Sequence, residues 1–167
     1  MERNKRIVFV PHCLLNQNVR ALGTEMAPGP IRELLELFSE AGVGIVQMPC
    51  PEMEFDGGLE REPKAKTAFN EVYRKRCRHL AGSILKQIHR YFKAGYDVMG
   101  ILGVEFCPGC AIYRPDSKRR DVSSRGILIE ELESSMSGKR FRIPFAAVNL
   151  NNIYSSLEDV HGLLRFG

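Results

Sequence analysis

Apolar residues along the chain follow two rhythms, short unbroken runs and longer stretches in which they recur every three or four positions. The first run, Ile7-Val8-Phe9-Val10 within Arg6 to Pro11, has no polar alternation and predicts a strand covered on both faces. Ile31, Leu34, Leu35, Leu37 and Phe38 then recur at helical spacing between Pro30, suited to a first helical turn, and Gly42, suited to a stop. Gly44 to Pro49 predicts a second strand through Ile45, Val46 and Met48. From Lys64 to Gly95 the apolar positions again keep helical intervals, which predicts one long helix that Gly82 and Ser83 could bend or split. Asp97 to Glu105 is the third strand, and its Gly100 and Gly103 point to close approach by a neighbour or a ligand. The polar run Arg114 to Arg125 reads as a solvated loop. Gly126 to Ser137 predicts a helix and Arg142 to Leu150 a fourth strand. A short last helix runs from Ser155 toward Leu164, with Ser156, Glu158 and Asp159 suited to its positive end.

Strands alternating with helices imply βαβ units joined by right-handed crossovers. The expected fold is α/β, a three-layer αβα sandwich with a mainly parallel sheet of about four or five strands, flavodoxin-like or Rossmann-like. At 167 residues and 44% apolar composition, the chain can build one core, so residues 1–167 read as a single domain. Lysine and arginine exceed aspartate and glutamate by 24 to 20, too slight an excess for a nucleic-acid footprint. The apolar run behind the charged N-terminus is too short for a signal peptide, and no apolar stretch approaches the roughly 20 residues of a membrane span. A soluble, cytoplasmic protein is expected, without membrane or nucleic-acid partners.

In that compartment disulfides are not expected to account for five cysteines, and their placement has a pattern. Cys13 follows the first strand, Cys50 the second, and Cys107 and Cys110 the third, whereas Cys77 sits inside the long helix. All strands of a parallel sheet end at one edge, where such folds place their ligands, so these thiols should converge. Clustered thiolates are soft donors suited to zinc or iron-sulfur clusters, and they repel one another unless metal, protonation or a disulfide neutralises them.

The motifs around these cysteines carry a resemblance. Cys13 to Gly23, CLLNQNVRALG, is similar to the CLLGxNxRYDG opening of the 2-thiouracil desulfurase family. Cys50-Pro51-Glu52 matches that family's CPE element, and Gly57-Gly58-Leu59 with Arg61 resembles its GGLPTPR segment, given two extra residues. Cys107-Pro108-Gly109-Cys110, followed by Ile112-Tyr113, looks like its SPSCG element. The resemblance covers about the first 115 residues and keeps the order of the motifs. It implies a 4Fe-4S cluster held by Cys13, Cys50 and Cys110, with one iron open to a small thiolated substrate whose sulfur is replaced by water. Glu52 is then the candidate general acid/base, Cys107 an active-site thiol that could also accept sulfur as a persulfide or become a fourth ligand, and Asn18 and Arg20 candidate substrate-binding residues. The chain departs from the pattern at Asn16, Ala21, Leu22 and Cys107, where the family has glycine, tyrosine, aspartate and serine. Those changes leave the substrate open.

Three other chemistries compete. Cys13, Cys50, Cys107 and Cys110 would make a structural zinc site, although Cys13 and Cys50 lack the short spacing such sites favour. An electron-transfer cluster without desulfurase activity uses the same ligands. A thioredoxin-like dithiol at CPGC needs a helix start behind it, which Ala111-Ile112-Tyr113-Arg114-Pro115 does not resemble. No GxGxxG follows the first strand and no P-loop lysine motif is present, so nucleotide binding has no motif behind it. His12 and Asn149 to Asn152 are further polar residues at strand exits; His12 ranks below Glu52 because neighbours in an extended segment point apart.

Overall fold

Strand β1, Arg6–Pro11, lies between β2, Gly44–Met48, and β3, Asp97–Val104, while β4, Phe145–Val148, pairs with the far side of β3. All pairings are parallel, giving the sheet order β2-β1-β3-β4. This is the fold of a computed structural model that describes residues 2–112, 125–139 and 142–166.

The uninterrupted apolar run of β1 is explained by what covers it. Ile7 and Phe9 point to one face, where Ile101 of β3 joins them under Ala81, Ile84 and Ile88 of helix α4, Glu71–Lys93, and Leu128 and Leu132 of α5, Ile127–Met136. Val8 and Val10 point to the other, with Met99, Leu102 and Val104 against Leu34 and Phe38 of α2, Arg32–Glu40, and Val160 and Leu164 of α6, Tyr154–Phe166. The period-two alternation of a strand thus feeds two separate cores, and helices on both faces complete the three-layer sandwich.

Element boundaries move by a few residues for local reasons. Helix α4 begins at Glu71, well after Lys64, because the Asn70 side chain accepts a hydrogen bond from the Tyr73 N–H at 3.0 Å and caps it there. It continues unbroken through Gly82 and Ser83, its buried face carried by Ala81, Ile84 and Ile88. Strand β4 starts after Pro144, which has no N–H to donate. Two short helices, α1 at His12–Leu15 and α3 at Pro51–Phe55, occupy strand exits where the apolar pattern predicts no helix. The expected loop from Arg114 to Arg125 lies outside the described residues except for Arg125, whose guanidinium pairs with Glu133.

The close approach expected at β3 is by the chain itself. A Cβ on Gly103 would lie 2.3 Å from the Cys110 carbonyl oxygen, and one on Gly100 would lie 2.4 Å from the Leu163 side chain. Among the described residues no helix is long and apolar enough to cross a membrane.

Candidate functional site

The sheet order reverses between β1 and β3, and the crevice beyond their carboxyl ends is where an open parallel sheet binds its ligands. Three segments meet there. The first is α1, in which Cys13 is buried and its carbonyl oxygen accepts a 2.6 Å hydrogen bond from the buried Gln17 side chain. Gln17 Oε1 accepts from the Met26 N–H at 2.9 Å, so one buried amide ties the cysteine helix to the loop that follows it. The second is α3, opened by Pro51 at its first position and by Cys50 as N-cap. The Cys50 carbonyl closes the first turn by accepting from the Glu54 N–H at 3.0 Å.

The third segment is the Cys107–Cys110 turn. Cys107 N–H donates to the Val104 carbonyl at 3.2 Å, and Ala111 N–H donates to Cys107 at 3.1 Å. Helix α5 has no side-chain cap, and its first amides go to this turn instead: Ile127 N–H to the Pro108 carbonyl at 2.9 Å and Leu128 N–H to that of Gly109 at 2.8 Å. Gly126 makes the approach possible, since a Cβ there would sit 2.3 Å from the Cys110 nitrogen. The orphan donors of a helix start thereby fix the cysteine turn.

Cys13, Cys50 and Cys107 line one cavity of about 380 Å³ together with Glu52, Arg20 and Arg61. Cys110 is buried behind Cys107, with 3.4 Å between the two sulfurs. The Cys107 thiol also lies 3.3 Å from Glu52 Oε1. Glu52 is only 7% exposed, so this carboxylate is not the solvated loop residue its position allows. The reason is local: a short helix, not an extended strand, carries it inward from Cys50.

Arg61 is 6% exposed and holds the floor together. Its Nη1 donates to the carbonyls of Val19 at 2.8 Å and Gly58 at 2.9 Å, its Nη2 reaches Cys50 Sγ at 3.8 Å, and its Nε stands 3.8 Å from Glu52 Oε2. Nε itself is a buried donor without a partner. Arg20 donates from Nε to the Thr24 carbonyl at 2.7 Å and lies against Cys13.

Burial favours the protonated form of Cys13 and Cys50. It pushes Cys13 up to about 12, with the neighbouring Cys107 and Cys50 adding to the rise and Arg20 opposing it. Burial likewise raises Cys50 to about 11, and contact with Cys107 and burial together raise Cys110 well above the usual thiol range. All five cysteines are free thiols. Among the described residues no three histidine, cysteine or carboxylate side chains are grouped as a single bound ion requires. The donor chemistry fits a soft cation: thiolate sulfur is a soft ligand, and a metal would take the place of the proton on each desolvated thiol.

Not every residue nominated from sequence faces this cavity. Asn18 is exposed and donates its side-chain amide to Asn16 Oδ1 at 2.9 Å. His12 opens α1 in helical rather than extended geometry and is not among the lining residues. Asn151 reaches the rim, while Asn149 donates to Glu105 Oε2 at 2.9 Å. Cys77 is buried in α4 beside Tyr73 and Ile127, outside the cavity.

Phe106 carries no motif signal, yet it lines the cavity at 59% exposure with a φ of 64°. The turn from Val104 to Cys107 places it in left-handed backbone, which costs a bulky L-residue about 1–2 kcal/mol.

A larger cavity of about 510 Å³ lies at the opposite sheet edge, near Arg6, Asp97 and His161. There the Arg6 guanidinium donates to the last carbonyls around α2 and α6, Ala41 at 3.4 Å and Leu164, which gives that cation a structural use.

No family model matches the chain, and neither does any solved structure. Over 130 residues it is 35% identical to the uncharacterized protein MJ0003 of Methanocaldococcus jannaschii, a match that covers 77% of this chain and 76% of that protein. The chain, with its cysteine-lined crevice, therefore belongs to the same family as the archaeal protein MJ0003.

Proposed function

We propose that the crevice holds a 4Fe-4S cluster through Cys13, Cys50 and Cys110 and that the protein removes sulfur from a small thiolated compound, such as a thiolated base, by hydrolysis. The observation that supports this reading most is the meeting of four thiols from three strand exits with a buried carboxylate, Glu52, 3.3 Å from Cys107. Bound there, such a cluster would supply a thiophilic iron without a protein ligand, able to draw electron density from a carbon–sulfur bond.

The chain's own residues supply the rest. Glu52 takes a proton from the water that attacks carbon and returns it to the departing sulfur. Its desolvated site suits that work, because Arg61 faces one carboxylate oxygen and the Cys107 thiol the other. Arg20, on the cavity wall, orients an acceptor atom of the substrate. The test is sulfide release from 2-thiouracil and related thio-compounds by anaerobically reconstituted protein. Release that Glu52→Gln abolishes while cluster content is unchanged supports the reading, and no release from any of them overturns it.

A second reading is structural zinc on Cys13, Cys50, Cys107 and Cys110. It is favoured by the 3.4 Å between the sulfurs of Cys107 and Cys110, near the roughly 3.8 Å edge of a tetrahedral site with Zn–S of about 2.3 Å. Metal analysis after anaerobic purification distinguishes the two.

A further inference from the structure

Cys107 and Cys110 are also placed to react with each other. Their sulfurs are 3.4 Å apart, so closing a bond between them needs only a small side-chain movement. The two thiols are also unequal. Cys107 is half-buried and lines the cavity, whereas Cys110 is 6% exposed and is not among the lining residues. Cys107 has a carboxylate oxygen 3.3 Å away to take its proton, and Arg20 and Arg61 line the same cavity. An accessible thiol beside a base, a buried partner behind it and cations in front are the parts of a dithiol that accepts an anionic sulfur donor.

We propose that Cys107 and Cys110 form a sulfur-accepting dithiol that takes the outer sulfur of a small persulfide and releases it as sulfide, closing to a Cys107–Cys110 disulfide. In the first step the Cys107 proton passes to Glu52, and the Cys107 thiolate attacks the outer sulfur of the donor. The donor's sulfur–sulfur bond breaks, its thiolate leaves and takes the proton from Glu52, and Cys107 becomes a persulfide. In the second step Cys110 attacks Cys107 Sγ; the outer sulfur departs and leaves as hydrogen sulfide with the Cys110 proton. Two thiols are oxidised to one disulfide and one sulfane sulfur is reduced by two electrons, so the single turnover balances without another reactant. A small external dithiol reopens the disulfide. Activation by Glu52 separates this pair from a thioredoxin-type dithiol, which relies on a helix start at the second cysteine.

The proposal stands apart from the cluster, because it operates in cluster-free protein, and the disulfide withholds Cys110 as a ligand. The experiment mixes the reduced, cluster-free full chain with glutathione persulfide in single turnover and follows sulfide and protein mass. Wild type should release about one sulfide per chain and lose two hydrogens, with the bond mapping to Cys107 and Cys110. Cys110→Ser should stop after the first step, gaining one sulfur atom on Cys107 and releasing no sulfide. Cys107→Ser should do neither, while Cys77→Ser behaves as wild type. Mapping of the wild-type disulfide to any other pair overturns the proposal regardless of how the variants fold. So does undiminished sulfide release from a folded Cys107→Ser protein.

Discussion

Arg61 Nε stands 3.8 Å from Glu52 Oε2, and both side chains are nearly sealed from solvent, at 5% and 9% exposure. A buried carboxylate beside a buried guanidinium is held by the protein's whole local framework, since Arg61 also donates to Val19 and Gly58. Replacing Arg61 by Met leaves Glu52 with an uncompensated charge and should cost about 3 kcal/mol. The Arg61→Met, Glu52→Gln double variant should recover part of that loss. Urea unfolding of the four proteins in a double-mutant cycle measures the coupling.

Gly126 touches the site only through its lack of a side chain. In Gly126→Ala the new Cβ meets backbone atoms of Gly109, Cys110 and Ala111 at 2.3–2.4 Å, and backbone cannot swing aside as a flexible side chain would. The Cys107–Cys110 turn should shift, and metal uptake should fall several-fold even though no donor is altered. Iron content after reconstitution, compared with an α4 surface variant such as Lys86→Ala, reads the effect.

Glu131 anchors the packing of α4 on α5. Burial opposes its ionisation, but hydrogen bonds from Arg78 and Arg74, at 2.8 and 3.0 Å, hold its carboxyl below the usual carboxylate range. A depressed folded value means the stabilisation is present above the unfolded carboxyl value of 4.5 and is lost as pH falls below it. Glu131→Gln should therefore be less stable than wild type at pH 7, with the gap narrowing below pH 4.5. Thermal unfolding of both proteins across that range checks the sign.

Cys77 gives the opposite pH dependence. Its thiol is fully buried, and burial pushes it up to about 12 from 9.0. The unfolded chain thus loses this proton first, so the contribution of Cys77 is complete below pH 9.0 and declines as pH rises toward 12. Denaturant unfolding of wild type and Cys77→Ala should show a difference that is constant up to pH 9.0 and shrinks above it.

What could be read from the sequence divides along a physical line. Strand β1 and the face pattern of α4 were legible because burial on both sides or on one side leaves a period in the apolar residues. The meeting of Cys13, Cys50 and Cys107 at one edge was legible because topology alone brings strand ends together. The helices α1 and α3 were not, since four or five residues cannot display a 3.6-residue period. With α3 went the true reason that Glu52 points inward. Arg61 was visible only as part of a motif, because its role depends on carbonyls at Val19 and Gly58 that no spacing reveals. Phe106 gave no signal at all: its place in left-handed backbone runs against what a turn there would ordinarily select.

That backbone state makes a prediction of its own. Phe106→Gly removes the strain at φ 64° and should raise stability by about 1 kcal/mol, the sign opposite to most aromatic deletions. Denaturant midpoints of the cluster-free proteins decide it.

The central claim, three cysteine ligands from three strand exits, is tested most directly by iron and sulfide content after anaerobic reconstitution of wild type and four single variants. Wild type and Cys107→Ser should each hold about four irons and four sulfides per chain, and Cys13→Ser, Cys50→Ser and Cys110→Ser should each lose most of both. Full iron content in any of the last three, or stoichiometric zinc with no iron uptake in wild type, would contradict it.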